Sequence, residues 1–376
     1  MVYMNTERKT GEIISVGGGK GGVGKSLLSI ALGTALAREG LRVILVDLDL
    51  GGANLHTYLG ILRQIPTIAN FLLSKVESLD ELIVETMEKN LRLIGGAEFV
   101  PGALNPPHWM KLKLMRHLKA LPADMIIIDL GAGVHFNTLD FFGISDHGVV
   151  ITAPEPGAVM NAYGFIKGAL YRKMQYVFKN HPEISRLIDS ETRHAKNEKR
   201  FTLEWLKETL NDTAPDLLPL IGEIEQTFHP ALVINRAPEG RTHLLVKNLI
   251  SLCKERLDIS LEHVGDLPDV REISNHLLNV PRFLSLAEGA AYYKASRNII
   301  SRLTSSTVKN SGKAALFDFT DEELEDILQL IDTLDERVFS AASKNTWKLR
   351  MFFKPADVIG FLVSRGITHP LFYKSE

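Results

Sequence analysis

The chain has 376 residues, 45% hydrophobic and 23% charged, and its 43 Lys and Arg against 45 Asp and Glu give a net charge of −2. That composition excludes a disordered or collagen-like chain and argues against a protein that binds nucleic acid over its whole surface. The one cysteine, Cys253, can form neither an internal disulfide nor a paired-thiol metal site, which fits a reducing compartment. At about 150 residues per domain the length allows two or three domains, or one large α/β domain with additions. The first twelve residues are polar and carry no secretory h-region, and no apolar run approaches the roughly 18 residues of a membrane span. A soluble cytoplasmic protein is therefore expected.

Residues 12–16 (EIISV) read as a short buried strand, followed by Gly17, Gly18 and Gly19 and then a helical pattern through LLSIALGTALARE, which Gly40 stops. LRVILVDLD (41–49) is nearly all apolar until Asp47 and reads as a second buried strand. Strand, glycine turn, helix and strand make one βαβ unit with parallel strands. Further strands are expected at 91–94, 124–129, 147–152 and 231–235, with helices between them. The alternation predicts an α/β fold with a doubly wound, mainly parallel sheet. Residues 171–227 are rich in charge and helix formers and read as a helical insertion with a basic cluster (Arg193, His194, Lys196, Lys199, Arg200). Residues 305–376 form a C-terminal extension, which leaves 1–170 and 228–304 as the main domain.

The strand–loop–helix junction carries the chemistry. Residues 19–26, Gly-Lys-Gly-Gly-Val-Gly-Lys-Ser, fit the phosphate-loop pattern G-x-x-x-x-G-K-[ST]. Gly19, Gly21, Gly22 and Gly24 let the backbone N–H groups of this stretch, with Lys20 and Val23 between them, turn toward a phosphate. The helix that follows adds the positive end of its dipole. Lys25 would bridge the β- and γ-phosphates and Ser26 would coordinate Mg²⁺. Lys20 cannot easily reach the phosphates that Lys25 occupies; it is either a solvated loop lysine or one that reaches into a second subunit.

Asp47 and Asp49 stand at the end of the second strand, where ligand chemistry in parallel sheets gathers. Phosphoryl transfer needs a held metal, neutralised charge and an aimed water. Asp49 is assigned to the water and Asp47 to support near the metal and loop. Asp129 ends the apolar run MIIID and is assigned to Mg²⁺.

GGGKGGVGKS resembles the deviant phosphate loop of the MinD/ParA family of P-loop ATPases (the SIMIBI type of P-loop NTPase), in which the extra lysine reaches the partner subunit's nucleotide. DLDLGGANLHTYLG resembles the family's first switch, with Asn54 matching a dimer-contact asparagine. ITAPEPGAVMNAYGFIK (151–167) resembles the flagellar-number regulators of FlhG/FleN type, with Asn161 where that branch has Asp. LVINRA resembles the strand whose asparagine, here Asn235, binds adenine, and VGDLPDVREI the late adenine-flanking loop around Pro268. The resemblance covers roughly 12–170 and 228–300. It implies ATP and ADP with Mg²⁺ as ligands, an ATP-dependent homodimer with Lys20 and Asn54 at its interface, slow hydrolysis and an activating protein partner. Iron–sulfur relatives need paired thiols, which a lone Cys253 does not supply.

In the extension, Thr320 and Glu323 form a capping box, and Leu324, Ile327, Leu328, Ile331, Leu334 and Val338 recur at helical spacing on an acidic segment. Such a helix is repelled by an anionic bilayer and reads as packing on the domain or on a partner. KNTWKLRMFFK (344–354) is basic and aromatic but alternates with period two, so packing ranks above membrane binding, and DNA contact through the basic cluster ranks below a protein partner. The expectation is a Mg²⁺-dependent ATP hydrolase that works as a dimerisation switch controlling the position or number of a cellular structure, in the cytoplasm or peripherally at the inner membrane face. The rivals are a maturation or cofactor-insertion ATPase and a nucleotide-binding scaffold without turnover.

Overall fold

The computed structural model describes residues 11–49, 52–96, 108–193, 202–238 and 243–305. The basic run 194–200 and the extension with its acidic and basic–aromatic segments lie outside these residues.

Eight strands form one sheet: β1 (Glu12–Gly17), β2 (Val43–Leu48), β3 (Ile83–Glu85), β4 (Leu91–Ile94), β5 (Met125–Leu130), β6 (His147–Thr152), β7 (Ala231–Ala237) and β8 (Glu262–Pro268). Their order is β3-β4-β2-β5-β1-β6-β7-β8, parallel throughout except for β3 on β4. β2, β5, β1 and β6 are the apolar runs expected from the sequence. Every residue of β2, β5 and β6 is buried, because helices cover both faces. The period of two then divides the core: Ile13, Ile44, Ile126, Val150 and Leu232 pack on one face, Ile14, Leu45, Ile127, Val149 and Val233 on the other.

The second face carries α1 (Lys25–Arg38), with α2 (Leu55–Tyr58) above it. The first carries α3 (Ile68–Leu72), α4 (His108–Lys119), α5 (Phe136–Gly143) and α6 (Pro156–Val177). The stretch read as an insertion forms α7 (Pro182–Arg193), α8 (Leu203–Thr213) and α9 (Leu218–Thr227), continuing from α6. Ile188, Leu206, Leu210, Ile221 and Ile224 join the core of the first face, so these helices share the domain's core. The chain closes with α10 (His243–Leu257), a 3-10 turn over Arg271–Asn279, α11 (Val280–Phe283) and α12 (Ala290–Ser305), the last two on the α1 face.

Two strands depart from the sequence expectation. β3 is three residues long and antiparallel, too short to leave a pattern. β8, EHVGDLP, is a half-exposed edge strand whose polar residues, glycine and proline read as a loop.

Candidate nucleotide site

Chain order reverses at β1: its successor β2 lies beyond β5 on one side, while β6 lies on the other. Ligands in such sheets bind at that switch point, beyond the carboxyl ends of the strands. The loop 18–24 leaves β1 there and feeds α1. Gly24 precedes the helix with φ 101°, a left-handed conformation that an L side chain rarely adopts. A Cβ on Gly24 would also lie 2.2 Å from Asn235 Nδ2, so the close approach itself demands glycine. Gly19 is similarly constrained by α6, whose Asn161 carbonyl oxygen would be 2.0 Å from an added Cβ.

Lys25 is 7% exposed, and its ammonium makes no hydrogen bond or ion pair among the described residues. Burial pushes its pKa down, and the charges of Asp129 and Asp49 oppose that shift. A buried ammonium without a partner is costly, and an anion in the loop is the partner this geometry lacks. Ser26 Oγ donates to Asp129 Oδ2 at 2.6 Å, and Ser29 Oγ donates to Asp129 Oδ1 at 3.1 Å. A hydroxyl and a buried carboxylate at this spacing offer the hard oxygen donors that Mg²⁺ takes.

Strand parity explains the carboxylates. Residues 43, 45 and 47 of β2 and 125, 127 and 129 of β5 face α1, and Asp47 and Asp129 are direct cross-strand neighbours. Burial raises the pKa of both, and mutual repulsion adds to the rise of Asp47. Asp47 accepts the backbone N–H groups of Asp49 (3.1 Å) and Leu55 (3.1 Å). Its position is thus that of an anchor for the start of the switch segment. Gly96 packs so tightly on it that an added Cβ would lie 2.8 Å from Asp47 Cγ. The Asp49 carboxylate lies beyond the strand end against Gly131 and Gly52, whose added Cβ atoms would lie 3.1 and 3.3 Å from its oxygens.

The remaining sequence candidates scatter around this centre. Asn54 is the N-cap of α2 and donates from Nδ2 to Gly52 O at 2.6 Å. Asn235 is buried, and its Nδ2 donates to Val23 O at 2.9 Å, tying β7 to the loop. Pro268 ends β8. Lys20 donates to Glu155 Oε2 at 2.8 Å, and Arg236, at φ 54°, lies 3.4 Å from Glu155 Oε1. Lys20 holds Glu155 below the usual carboxylate range.

Sequence reasoning missed Ser29, Glu155, Arg236 and Gly96. Ser29 carried a signal, since it follows Ser26 by three and so shares its helix face. Glu155 stood in a Pro-Glu-Pro stretch noted only for its resemblance.

The CobQ/CobB/MinD/ParA nucleotide binding domain matches residues 14–365. The chain belongs to this family. Among relatives of the MinD/ParA type, it is 32% identical over 164 residues to the antiactivator FleN of Pseudomonas aeruginosa, covering 42% of this chain and 55% of FleN. It is 35% identical over 164 residues to the flagellum site-determining protein YlxH of Helicobacter pylori, covering 42% of this chain and 53% of YlxH. The chain thus spans about half the length of these curated relatives. The septum site-determining protein MinD of Pyrococcus horikoshii, solved complexed with Mg-ADP, superposes with a TM-score of 0.51 at 19% identity over 78% of this chain and 97% of its own. At that identity the likeness shows the MinD/ParA fold. Among the described residues no helix is long and apolar enough to cross a membrane.

Proposed function

We propose that this chain is an ATP-driven dimerisation switch that hydrolyses its nucleotide slowly and controls the position or number of a cellular structure. The observation that carries the reading is the buried, unpartnered Lys25 in a glycine loop beside the Ser26–Asp129 pair. Membership of a nucleotide-binding family and the likeness to FleN, YlxH and MinD-type proteins support it.

Loop N–H groups, Lys25 and the α1 N-terminus would bind the phosphates, while Ser26 and Asp129 would hold Mg²⁺. The metal, when bound, supplies charge neutralisation for the transferring phosphoryl group. Asp49 would orient the attacking water from its place between Gly52 and Gly131. Asp47 would keep the segment bearing Asp49 in register through its two backbone bonds. Pro268 would flank the base, while Asn235 would hold the loop through Val23.

Lys20 would cross to the partner's phosphates in the dimer, with Asn54 beside it. Here it rests on Glu155 of its own chain, with side chains 43% and 47% exposed. Solvent screens an exposed pair of this kind and leaves it weak, so a phosphate readily displaces it. An activating partner and peripheral membrane attachment through residues 344–354 complete the proposal.

Two single variants of the full chain test it. Lys25→Ala should lose Mg-ATP binding by calorimetry. Lys20→Ala should bind the nucleotide but fail to dimerise on light scattering. A Lys20→Ala chain that dimerises like the wild type would refute the role of Lys20 in the partner's site.

A further inference from the structure

Three lysines are buried among the described residues: Lys25, Lys111 and Lys173. Lys111 is paired with the Asp140 carboxylate, and Lys25 faces the phosphate site. Lys173, on α6, is 5% exposed, and its ammonium makes no hydrogen bond or ion pair among the described residues. It lines a cavity of about 30 Å³ at the other end of the sheet, where Gly148 lies near the start of β6 and Pro230 precedes β7.

We propose that Lys173 and this cavity bind one small, weakly hydrated monovalent anion of halide size. The Asp140 carboxylate and several helix-end carbonyls near the cavity already have other donors. Asp140 is held by both Lys111 and Arg172. Two helices end here, and their carbonyls favour a cation in principle. Yet Phe142 O accepts from Ser145 Oγ (2.7 Å), Glu223 O from Thr227 Oγ (2.6 Å) and Ile224 O from the Phe228 N–H (2.9 Å). Burial lowers the Lys173 pKa; Glu223 opposes this from beyond ion-pair distance, and Lys119 adds repulsion. An anion in the cavity reverses that balance.

Size and lining choose the ligand. One water needs about 10–15 Å³, so the cavity has room for a bare halide ion. Leu139, Phe142, Ala169 and Phe228 make one side of the lining apolar, with Arg172 beside Lys173 on the other, so a weakly hydrated ion such as chloride or bromide loses least on entering. A bound ion would join α6 to residues 227–230, the junction where α9 returns to the sheet.

The test uses the full chain in sodium chloride or sodium gluconate at equal ionic strength. Excess ³⁵Cl line width should appear with the wild type, persist in Lys25→Met, and fall by at least half in Lys173→Met. Far-UV circular dichroism shows whether Lys173→Met has folded. Independently of any variant, bromide-soaked wild-type crystals should show an anomalous peak within hydrogen-bonding reach of Lys173 Nζ. Line broadening unchanged in folded Lys173→Met, or a cavity holding water alone in bromide, would overturn the proposal.

Discussion

Asn235 offers a test in which two substitutions at one atom give different answers. Its amide nitrogen donates to Val23 O at 2.9 Å from a buried position, so the phosphate loop hangs on a side chain 212 residues away. Asn235→Ala deletes the donor and leaves the Val23 carbonyl short of a partner. Loss of a net hydrogen bond plus a desolvated acceptor comes to about 1–3 kcal/mol. Asn235→Asp instead sets a carboxylate oxygen against the carbonyl oxygen. The buried site must then protonate the acid or expel it, for about 3–5 kcal/mol. Because each 1.4 kcal/mol is a factor of ten, an Asn235→Ala loop that must be re-ordered on binding should hold Mg-ADP roughly 5- to 150-fold more weakly. Asn235→Asp should be worse still. Calorimetric titration with Mg-ADP and Mg-GDP, alongside urea unfolding, reads both effects. Loop anchoring predicts that the two nucleotides weaken together, with the stability order wild type, Ala, Asp. An Asp variant as stable as the Ala variant, or a loss confined to ADP with GDP untouched, would refute the reasoning.

Two further outcomes follow from the same geometry. Asp49→Asn keeps the packing against Gly52 and Gly131 but removes the charge, so nucleotide binding and ATP-dependent association should survive while phosphate release falls at least tenfold. Unchanged phosphate release would remove Asp49 from the hydrolytic role. Arg42 hydrogen-bonds Asp124 and holds its carboxyl down at about 2. The folded pKa lies below the ordinary 3.8, so this pair stabilises fully above about pH 4 and loses its contribution as pH falls toward 2. Both side chains are open to solvent, which screens the pair, so Arg42→Ala should cost little stability at pH 7. The deficit should shrink between pH 4 and pH 3 in urea unfolding, and one that grows on acidification would contradict the assignment.

What the sequence shows and what it hides divide along a physical line. The phosphate loop, Ser26 and Asp129 were legible because their chemistry demands fixed residue types next to a strand and a helix, all within a short stretch or at the end of an apolar run. The buried strands were legible because burial on both faces leaves continuous apolar residues. β8 was hidden because an edge strand tolerates Gly and Pro, and β3 because three residues carry no period. Glu155 and Arg236 were hidden because their contacts with Lys20 and the loop are made through space across more than 130 residues. Lys173 lies in the charge-rich stretch 171–227, and nothing in its local pattern says that its side chain is buried. Asn235 was picked out for the base, whereas the fold first commits its amide to Val23.

The central claim is that a triphosphate joins two copies of the chain and its cleavage parts them. Sedimentation velocity of the wild-type protein with saturating Mg²⁺ and either ADP or a non-hydrolysable ATP analogue tests it most directly. The account predicts a single monomer boundary with ADP and a dimer boundary with the analogue. A monomer under both nucleotides, with calorimetry confirming that both are bound, would contradict it.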